Sequence, residues 1–438
     1  MTAPSITINV MLGTALLGAT AGTIGTFAVL RRRALVGDMI SHASLPGICL
    51  AFLIMQNRNF VGLSLGALAT GLLAIVVIAI LTRWTRTKED AAIGIVLSTW
   101  FGAGMVLLSV AQRQTTGYPA GLKSYLMGEA AGIGRRDVQV IAVVALMCLA
   151  IVTFLYKEFK LLSFDTDFAT AQGWPTLALD LAMMGTLAVV TIVGLPICGV
   201  ILMAALIILP GASARFWSNR LGRLLAIAAV ACAAAGIVGT FLGSPLPKQW
   251  LGIELFDNYK YPPGPLIVLS AASFFLFSML FAPERGILAN AYAELQLNRR
   301  IAREHLLRAL YEISEPLLPD RPAVPESQLL AHRSWRNWWL GWLIFRLQSS
   351  DLLERVNGSV RLTPAGLNAA AEVTRTHRLW EMFLVDSAGI APDHVDRDAD
   401  TVEHMLPKQL VQELEQRLAA DGRLPEVPRS VPRSPHDL

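Results

Sequence analysis

The chain has 438 residues, 54% of them hydrophobic, and a formal net charge of +4. Apolar residues are concentrated in the first two thirds, which excludes a wholly soluble chain. The four cysteines, Cys49, Cys148, Cys198 and Cys232, form no CxxC pair, which argues against a zinc knuckle or a redox motif; all fall in apolar stretches and read as small core residues.

In chain order, apolar stretches of membrane-spanning length predict helices at 8–30, 35–55, 61–82, 92–111, 138–156, 177–194, 197–213, 221–242 and 264–282. The first is too long and too weakly flanked by basic residues for a cleaved signal peptide, and is read as a retained span. Region 177–213 is too long for one span and short for two, with Pro196 and its neighbouring glycines in the middle. Two short helices with a break at the proline are expected, and one bent span is the alternative, giving nine spans or eight. Basic residues gather in alternate loops: Arg31, Arg32 and Arg33; Arg83, Arg86 and Lys88; Lys157 and Lys160; Arg215, Arg220 and Arg223. The positive-inside rule puts these loops, and everything after the last span, in the cytoplasm.

Beyond residue 283 the charged fraction rises and the spans stop. An amphipathic helix in "NRRIAREHLLRALYEISEP" is followed by a Pro-rich link and a Trp-rich helix, "SWRNWWLGWLIFRLQSSDLLE". "RVNGSVRLTPAG" carries Asn-Gly at the tip of a short hairpin and a Thr-Pro helix start. Further helices are expected in "LNAAAEVTRTHRLWEMFLVDSAG" and "DHVDRDADTVEHMLPKQLVQELEQRLA". The expected architecture is an all-α polytopic membrane protein with a C-terminal cytoplasmic domain, winged-helix-like and then helical. The expected boundaries are 1–283 for the membrane domain, 284–424 for the cytoplasmic domain and 425–438 for a Pro-rich disordered end.

Within the second span, "GDMISHASLPG" places Asp38 and His42 four residues apart, on one helical face. Ionisable groups inside a span are costly, and mark a function unless a partner or a capping role explains them. A carboxylate and an imidazole suit a divalent first-row metal, and two protein ligands suit an ion that must leave again. A structural Asp–His pair, with Asp38 as a helix N-cap after Gly37, is the other reading. The residues alone leave both open.

The stretch "RRRALVGDMISHASLPGICLAF" resembles the signature of the permease subunits of ATP-driven zinc, manganese and iron importers, the metal-chelate uptake family of ABC transporters. "KEDAAIGIVLSTWFGAGMVLLS", "SYLMGEAAG", "LSFDTDFATAQGW" and "VGLPICGVILMAALIILPGASAR" follow in the family's order, over nearly all of residues 8–282. The resemblance implies that Asp38 and His42 lie on the metal path. It also implies a bacterial inner-membrane location, an extracytoplasmic metal-binding protein, and a second permease, identical or related. No GxxxxGK[ST] motif is present, so ATP hydrolysis is expected from a separate ATPase subunit. Its candidate docking surfaces are the cytoplasmic loops 161–174, with Phe164, Asp165, Ala169 and Gly173, and 209–220, with Pro210, Ala212 and Arg215.

In the cytoplasmic domain, Asp400, Glu403 and His404 share a helical face, and His377 and Glu381 form a pair four residues apart. A solvated acidic face is the plain reading of such a cluster. "REHLLRALYEI", "RLTPAGLNAAAEVTRTHRLWEMFLVDSAGI" and "HVDRDADTVEHMLPKQLVQELEQRL" resemble the iron- and manganese-dependent repressors related to the diphtheria toxin repressor. That resemblance implies metal ligands at His305, His377, Asp400, Glu403 and His404, with Glu381 and Asp396 at ancillary positions, and the aspartate at 400 leans towards manganese. Arg308 stands where the manganese type has a second acid and cannot ligate, so one ion is expected.

The expected DNA-reading helix carries Trp335, Trp338, Trp339 and Trp342 instead of polar groups, and the domain is slightly acidic. Nucleic-acid binding is therefore not expected. The Trp stripe is expected to pack on the domain's own core, the membrane domain, the ATPase or lipid. Two further readings are a membrane-anchored, metal-dependent DNA-binding regulator, and an intramembrane hydrolase using Asp38 and His42. The second lacks HExxH or paired catalytic acids.

Overall fold

The computed structural model describes residues 3–56, 60–113, 134–244, 263–318, 320–333, 335–387, 408–420 and 431–432. The chain divides into two compact units, Met1–Asn290 and Ala291–Leu438.

The first unit is helical. Its elements are α1 (Ala3–Leu30), α2 (Leu35–Met55), α3 (Phe60–Trp84), α4 (Glu89–Gln112), α5 (Arg135–Phe154), α6 (Tyr156–Phe164), α7 (Thr166–Ala171), α8 (Thr176–Cys198), α9 (Val200–Trp217), α10 (Leu221–Leu242) and α11 (Pro263–Phe281). Eight of them are long and apolar enough to cross a bilayer, and α9, apolar over Met203–Trp217, is shorter. The expected break in 177–213 exists, but Pro196 lies inside α8 and the chain turns at Gly199, whose φ of +82° is a left-handed conformation that glycine adopts without steric cost. The expected docking loops are also more ordered than loops: 161–174 contains the end of α6 and all of α7, and 209–217 is the last part of α9.

Helices α1, α2 and α8 form the buried centre, while α3, α4, α5 and α11 keep most of their surface outward. Outward residues such as Leu146, Val106 and Phe154 are large and apolar, as lipid-facing positions must be. Since lipid gives helices no hydrophobic reason to associate, close van der Waals packing must hold them together. Gly18 and Gly22 of α1 lie against the backbone carbonyls of Cys232 and Ala228 of α10, where an added Cβ would stand 2.6 and 2.4 Å from oxygen. Gly47 of α2 and Gly66 of α3 meet in the same way, at 2.0 and 2.4 Å from each other's carbonyl oxygens. No other residue fits at these four positions without separating the helices.

The second unit begins within α12 (Ile287–Ser314), a helix that straddles the division. It continues with a 3₁₀ turn (Glu315–Leu317), β1 (Val324–Pro325), α13 (Glu326–His332), α14 (Asn337–Gln348), β2 (Leu353–Val356), β3 (Ser359–Leu362), α15 (Pro364–Ser387) and α16 (Lys408–Ala420). The Pro-rich link thus contributes a strand and leads into a short helix that the sequence reading lacks. The sheet order is β1-β3-β2, antiparallel throughout. Val356 pairs with Ser359 across the expected Asn357–Gly358 turn, where both residues have positive φ. Thr363 caps α15, its Oγ1 accepting the Gly366 N–H at 3.0 Å, with Pro364 in the first helical position. Leu306, Leu310, Leu329, Leu340, Leu343, Ile344, Val360 and Leu362 form the core of this winged-helix arrangement. The expected disordered end, apart from residues 431–432, lies outside the described residues.

Gly22→Leu is expected to push α1 off α10 and to lower stability by about 1–3 kcal/mol or more. Thermal unfolding of the purified chain in detergent measures this. A variant at Gly94, where an added Cβ meets nothing within 4 Å, should unfold like the unaltered chain.

Candidate functional site

Asp38 lies in the first turn of α2, which starts at Leu35 and whose N-cap is Ala34. Asp38 is therefore not the N-cap of its helix, and that structural explanation of the residue falls away. His42 Nε2 stands 3.7 Å from Asp38 Oδ1, and both side chains are partly exposed, at 25% and 34%. The distance is longer than a good hydrogen bond, so neither group is tied up by the other. The edge-to-face contact of the His42 ring with Phe101 of α4, with centroids 5.1 Å apart, fixes the plane of the imidazole. Around the pair, Met39, Ile40, Ser41 and Ala43 are fully buried in the bundle. The arrangement offers one oxygen and one nitrogen on a rigid helix in the centre of the bundle. Among the described residues no third His, Cys, Asp or Glu joins them.

A second polar cluster was not anticipated from the sequence. The loop between α1 and α2 sends Arg31 and Arg33 to Asp180 of α8, and Arg33 also pairs with Glu89 at the start of α4. Arg33 Nη1 donates to both Asp180 oxygens, at 2.7 and 2.6 Å. Burial, reinforced by the like charge of Arg33, lowers the Arg31 pKa in spite of Asp180; for Arg33 burial also acts downward, but Asp180 and Glu89 outweigh it and raise the value. This cluster is fully paired and joins three helices at the entry to α2. The only signal for it in the sequence is Asp180, an acid within an apolar stretch.

Of the expected docking residues, Phe164 is 60% exposed, Asp165, Gly173 and Arg215 are exposed, Ala212 is half-buried, and Ala169 and Pro210 are buried. Asp165 caps α7, its side chain accepting the Phe168 N–H at 2.8 Å. Phe164 at the end of α6, Phe168 on α7 and Trp174 just after α7 all stand exposed. Pro210 and Ala169 offer no surface of their own.

In the second unit His377 and Glu381 are each 2% exposed, with Nε2 3.0 Å from Oε1. Arg308 Nη1 lies 2.7 Å from His377 Nδ1 and 3.0 Å from its Nε2, while Arg308 Nε reaches Glu312 at 3.3 Å. His305 is likewise met by Arg333, at 2.8 Å from Nδ1. Donor types suited to a divalent metal are thus present, but each imidazole already faces a guanidinium. Among the described residues they do not assemble a site. Asp396, Asp400, Glu403 and His404 lie outside the described residues. Beside His377 on α15, burial opposes the charge of Arg378, but its hydrogen bonds to Glu315, at 2.6 and 2.8 Å, together with the negative charges of Glu315 and Glu312, outweigh burial and raise its pKa. Of the Trp stripe, Trp335, Trp339 and Trp342 pack on the unit's core, as one of the expectations had it, while Trp338 is 64% exposed.

A bundle of helices long and apolar enough to cross a membrane, with a carboxylate–imidazole pair on a central helix and no nucleotide-binding motif in the sequence, fits a transport permease. The chain belongs to the ABC 3 transport family, whose model matches residues 4–282. Residues 363–426 match the iron dependent repressor, metal binding and dimerisation domain. The manganese transport system membrane protein MntC of Bacillus subtilis is 35% identical over 427 residues, covering 95% of this chain and 92% of that one. The zinc transport system membrane protein TroC of Treponema pallidum is 38% identical over 280 residues, 64% of this chain and 90% of its own. Among solved structures, PsaBC from Streptococcus pneumoniae in complex with Fab is similar at a TM-score of 0.53, with 29% identity over 66% of this chain and 94% of that one.

Asp180→Ala leaves Arg31 and Arg33 without their shared carboxylate. Unpairing a buried charge typically costs roughly 3–5 kcal/mol, and the value here should fall below that because Asp180 keeps 19% of its side chain exposed. A lower thermal midpoint in detergent, rescued in part by Asp180→Glu, is the expected result.

Proposed function

We propose that this chain is the membrane-spanning permease subunit of an ATP-driven importer of a divalent transition metal, manganese foremost, with zinc and iron as ions the same ligands serve. The observation that carries the reading is the Asp38–His42 pair. It consists of two metal-ligating groups on one face of a central helix, too far apart to satisfy each other. Two ligands hold an ion weakly enough for release, and a second permease subunit would bring a matching pair. The manganese and zinc systems named for the relatives support the same substrate class.

ATP hydrolysis belongs to a separate cytoplasmic subunit. Phe164, Phe168 and Trp174 around α7 are the surface on which it docks, with Arg215 as an outlying contact. A short capped helix transmits motion as a rigid body, which a flexible loop does not. An extracytoplasmic binding protein delivers the ion, and the basic loops at Arg31–Arg33, Arg83–Lys88 and Lys157–Lys160 orient the chain with its tail in the cytoplasm.

The tail acts as a regulatory domain responding to cytoplasmic metal. His377 and Glu381, with His305, Asp396, Asp400, Glu403 and His404, supply donors for one ion, and an ion would enter beside His377 only by displacing Arg308. A membrane-anchored DNA-binding regulator is disfavoured, because the helix that would enter the groove is aromatic and carries Arg346 as its one charged residue.

Ala substitution of Asp38 and of His42 should each reduce uptake of radioactive manganese by whole cells roughly ten- to a hundredfold, in line with the loss of a metal-site contact. Membrane levels of the protein should stay unchanged, and uptake at the unaltered rate would refute the pathway. A chain ended after Arg285 should retain uptake but lose the inhibition seen after loading cells with manganese; feedback that persists would remove the regulatory role from the tail.

A further inference from the structure

Helix α14 has one face that its own domain leaves uncovered. Trp338 is 64% exposed and Phe345 is 65% exposed, seven residues on and therefore on the same side of the helix. Between them lies Gly341, where an added Cβ would meet nothing within 4 Å. The face is thus flat and open among the described residues. Opposite it, Leu340, Leu343, Ile344 and Leu347 are buried in the core, so the exposure is not a sign of a loosely held helix.

The charge on this face has one sign. From Trp335 to Ser350 the sequence holds no acid; its only charged residues are Arg336 and Arg346. Their guanidinium groups lie over Trp338 at 5.9 Å and Trp342 at 5.8 Å, and Arg299 of α12 lies over Trp342 at 5.4 Å. Aromatic rings flanked by arginines form the composition of side chains that settle at a membrane interface, where the ring enters the headgroup layer and the cation meets phosphate. A second copy of the same face would set arginine against arginine with no acid between them. A nucleic acid would find the stacking face of Trp339 taken by Trp342, with planes 13° apart. The domain is also covalently tethered to the membrane unit: α12 starts at Ile287, shortly after the last span ends at Phe281, so lipid is a partner at high effective concentration.

We propose that this face of α14 is a membrane-surface contact that takes anionic phospholipid headgroups, Trp338 and Phe345 inserting between them while Arg336 and Arg346 bind phosphate. The helix that would read DNA in a soluble winged-helix protein is here turned into a lipid-reading surface. Only the supply of anionic lipid in the cell rests on the tail being cytoplasmic; the contact itself does not.

The test uses the full chain in nanodiscs whose two leaflets have the same composition, so that orientation is immaterial. A Gly341→Cys variant carries a nitroxide; the four native cysteines are buried. Collision with oxygen, which favours lipid, is compared with collision with a water-soluble nickel chelate. Ser327→Cys on α13, an exposed position, serves as reference. In phosphatidylcholine containing phosphatidylserine, the oxygen-to-nickel ratio at 341 should exceed that at 327 several-fold. It should drop towards the reference in phosphatidylcholine alone, and in the R336E/R346E variant, whose changes lie on exposed residues and spare the core. A label as open to nickel as the reference in both lipids overturns the proposal. So does a label shielded from both reagents with dipolar broadening between labels, because a second copy then covers the face.

Discussion

Everything in the membrane unit depends on helix backbones coming into direct contact. The bilayer supplies no hydrophobic drive for one helix to leave lipid and join another, so association rests on dispersion over closely matched surfaces. At Gly22 against Ala228, and at Gly47 against Gly66, there is no space even for a methyl group. The first contact seats α1 on α10; the second seats α2 on α3 and so fixes the helix that carries Asp38 and His42. The position of the Asp38–His42 pair is therefore set by residues that carry no chemistry.

Two groups of ionisable side chains share this environment and differ in how far they are satisfied. Arg31, Arg33, Asp180 and Glu89 form a closed network in which each charge has a partner. Such a network joins the α1–α2 loop to α8 and α4, and it leaves no capacity for a ligand. Asp38 and His42 are separated by 3.7 Å and partly open. An incompletely satisfied pair is what a transported ion requires, since an ion must find free lone pairs on arrival and lose them again on departure. Under the proposed function, polar groups in this unit thus serve structure in one place and transport in the other.

The second unit keeps the framework of a winged helix while its surfaces differ from those of a DNA reader. Its hairpin, its capped α15 and its leucine core are intact. Yet Arg308 and Arg333 stand against the imidazoles that would hold metal, and α14 presents tryptophan and phenylalanine where groove-reading polar groups would be. A fold constrains where side chains are displayed, and leaves open what they bind.

Much of this was legible in the chain itself. Hydropathy located the spans, with 35–55 and 221–242 matching α2 and α10. Asn-Gly predicted the hairpin, Thr-Pro the start of α15, and the spacing of Asp38 and His42 their shared face, because each of these is a local property of a few consecutive residues. Tertiary structure decided the rest. Pro196 remained inside a helix because packing overrode its local penalty, and the break moved to Gly199, where the backbone needed a positive φ. β1 formed in a Pro-rich link because β3, distant in sequence, offered it a partner. Asp180 found Arg31 and Arg33, some 150 residues away, only when α1 and α8 packed together. Local propensity travels with the sequence, whereas which charge meets which, and which tryptophan its own domain leaves uncovered, is settled by contacts that exist only once the chain has folded.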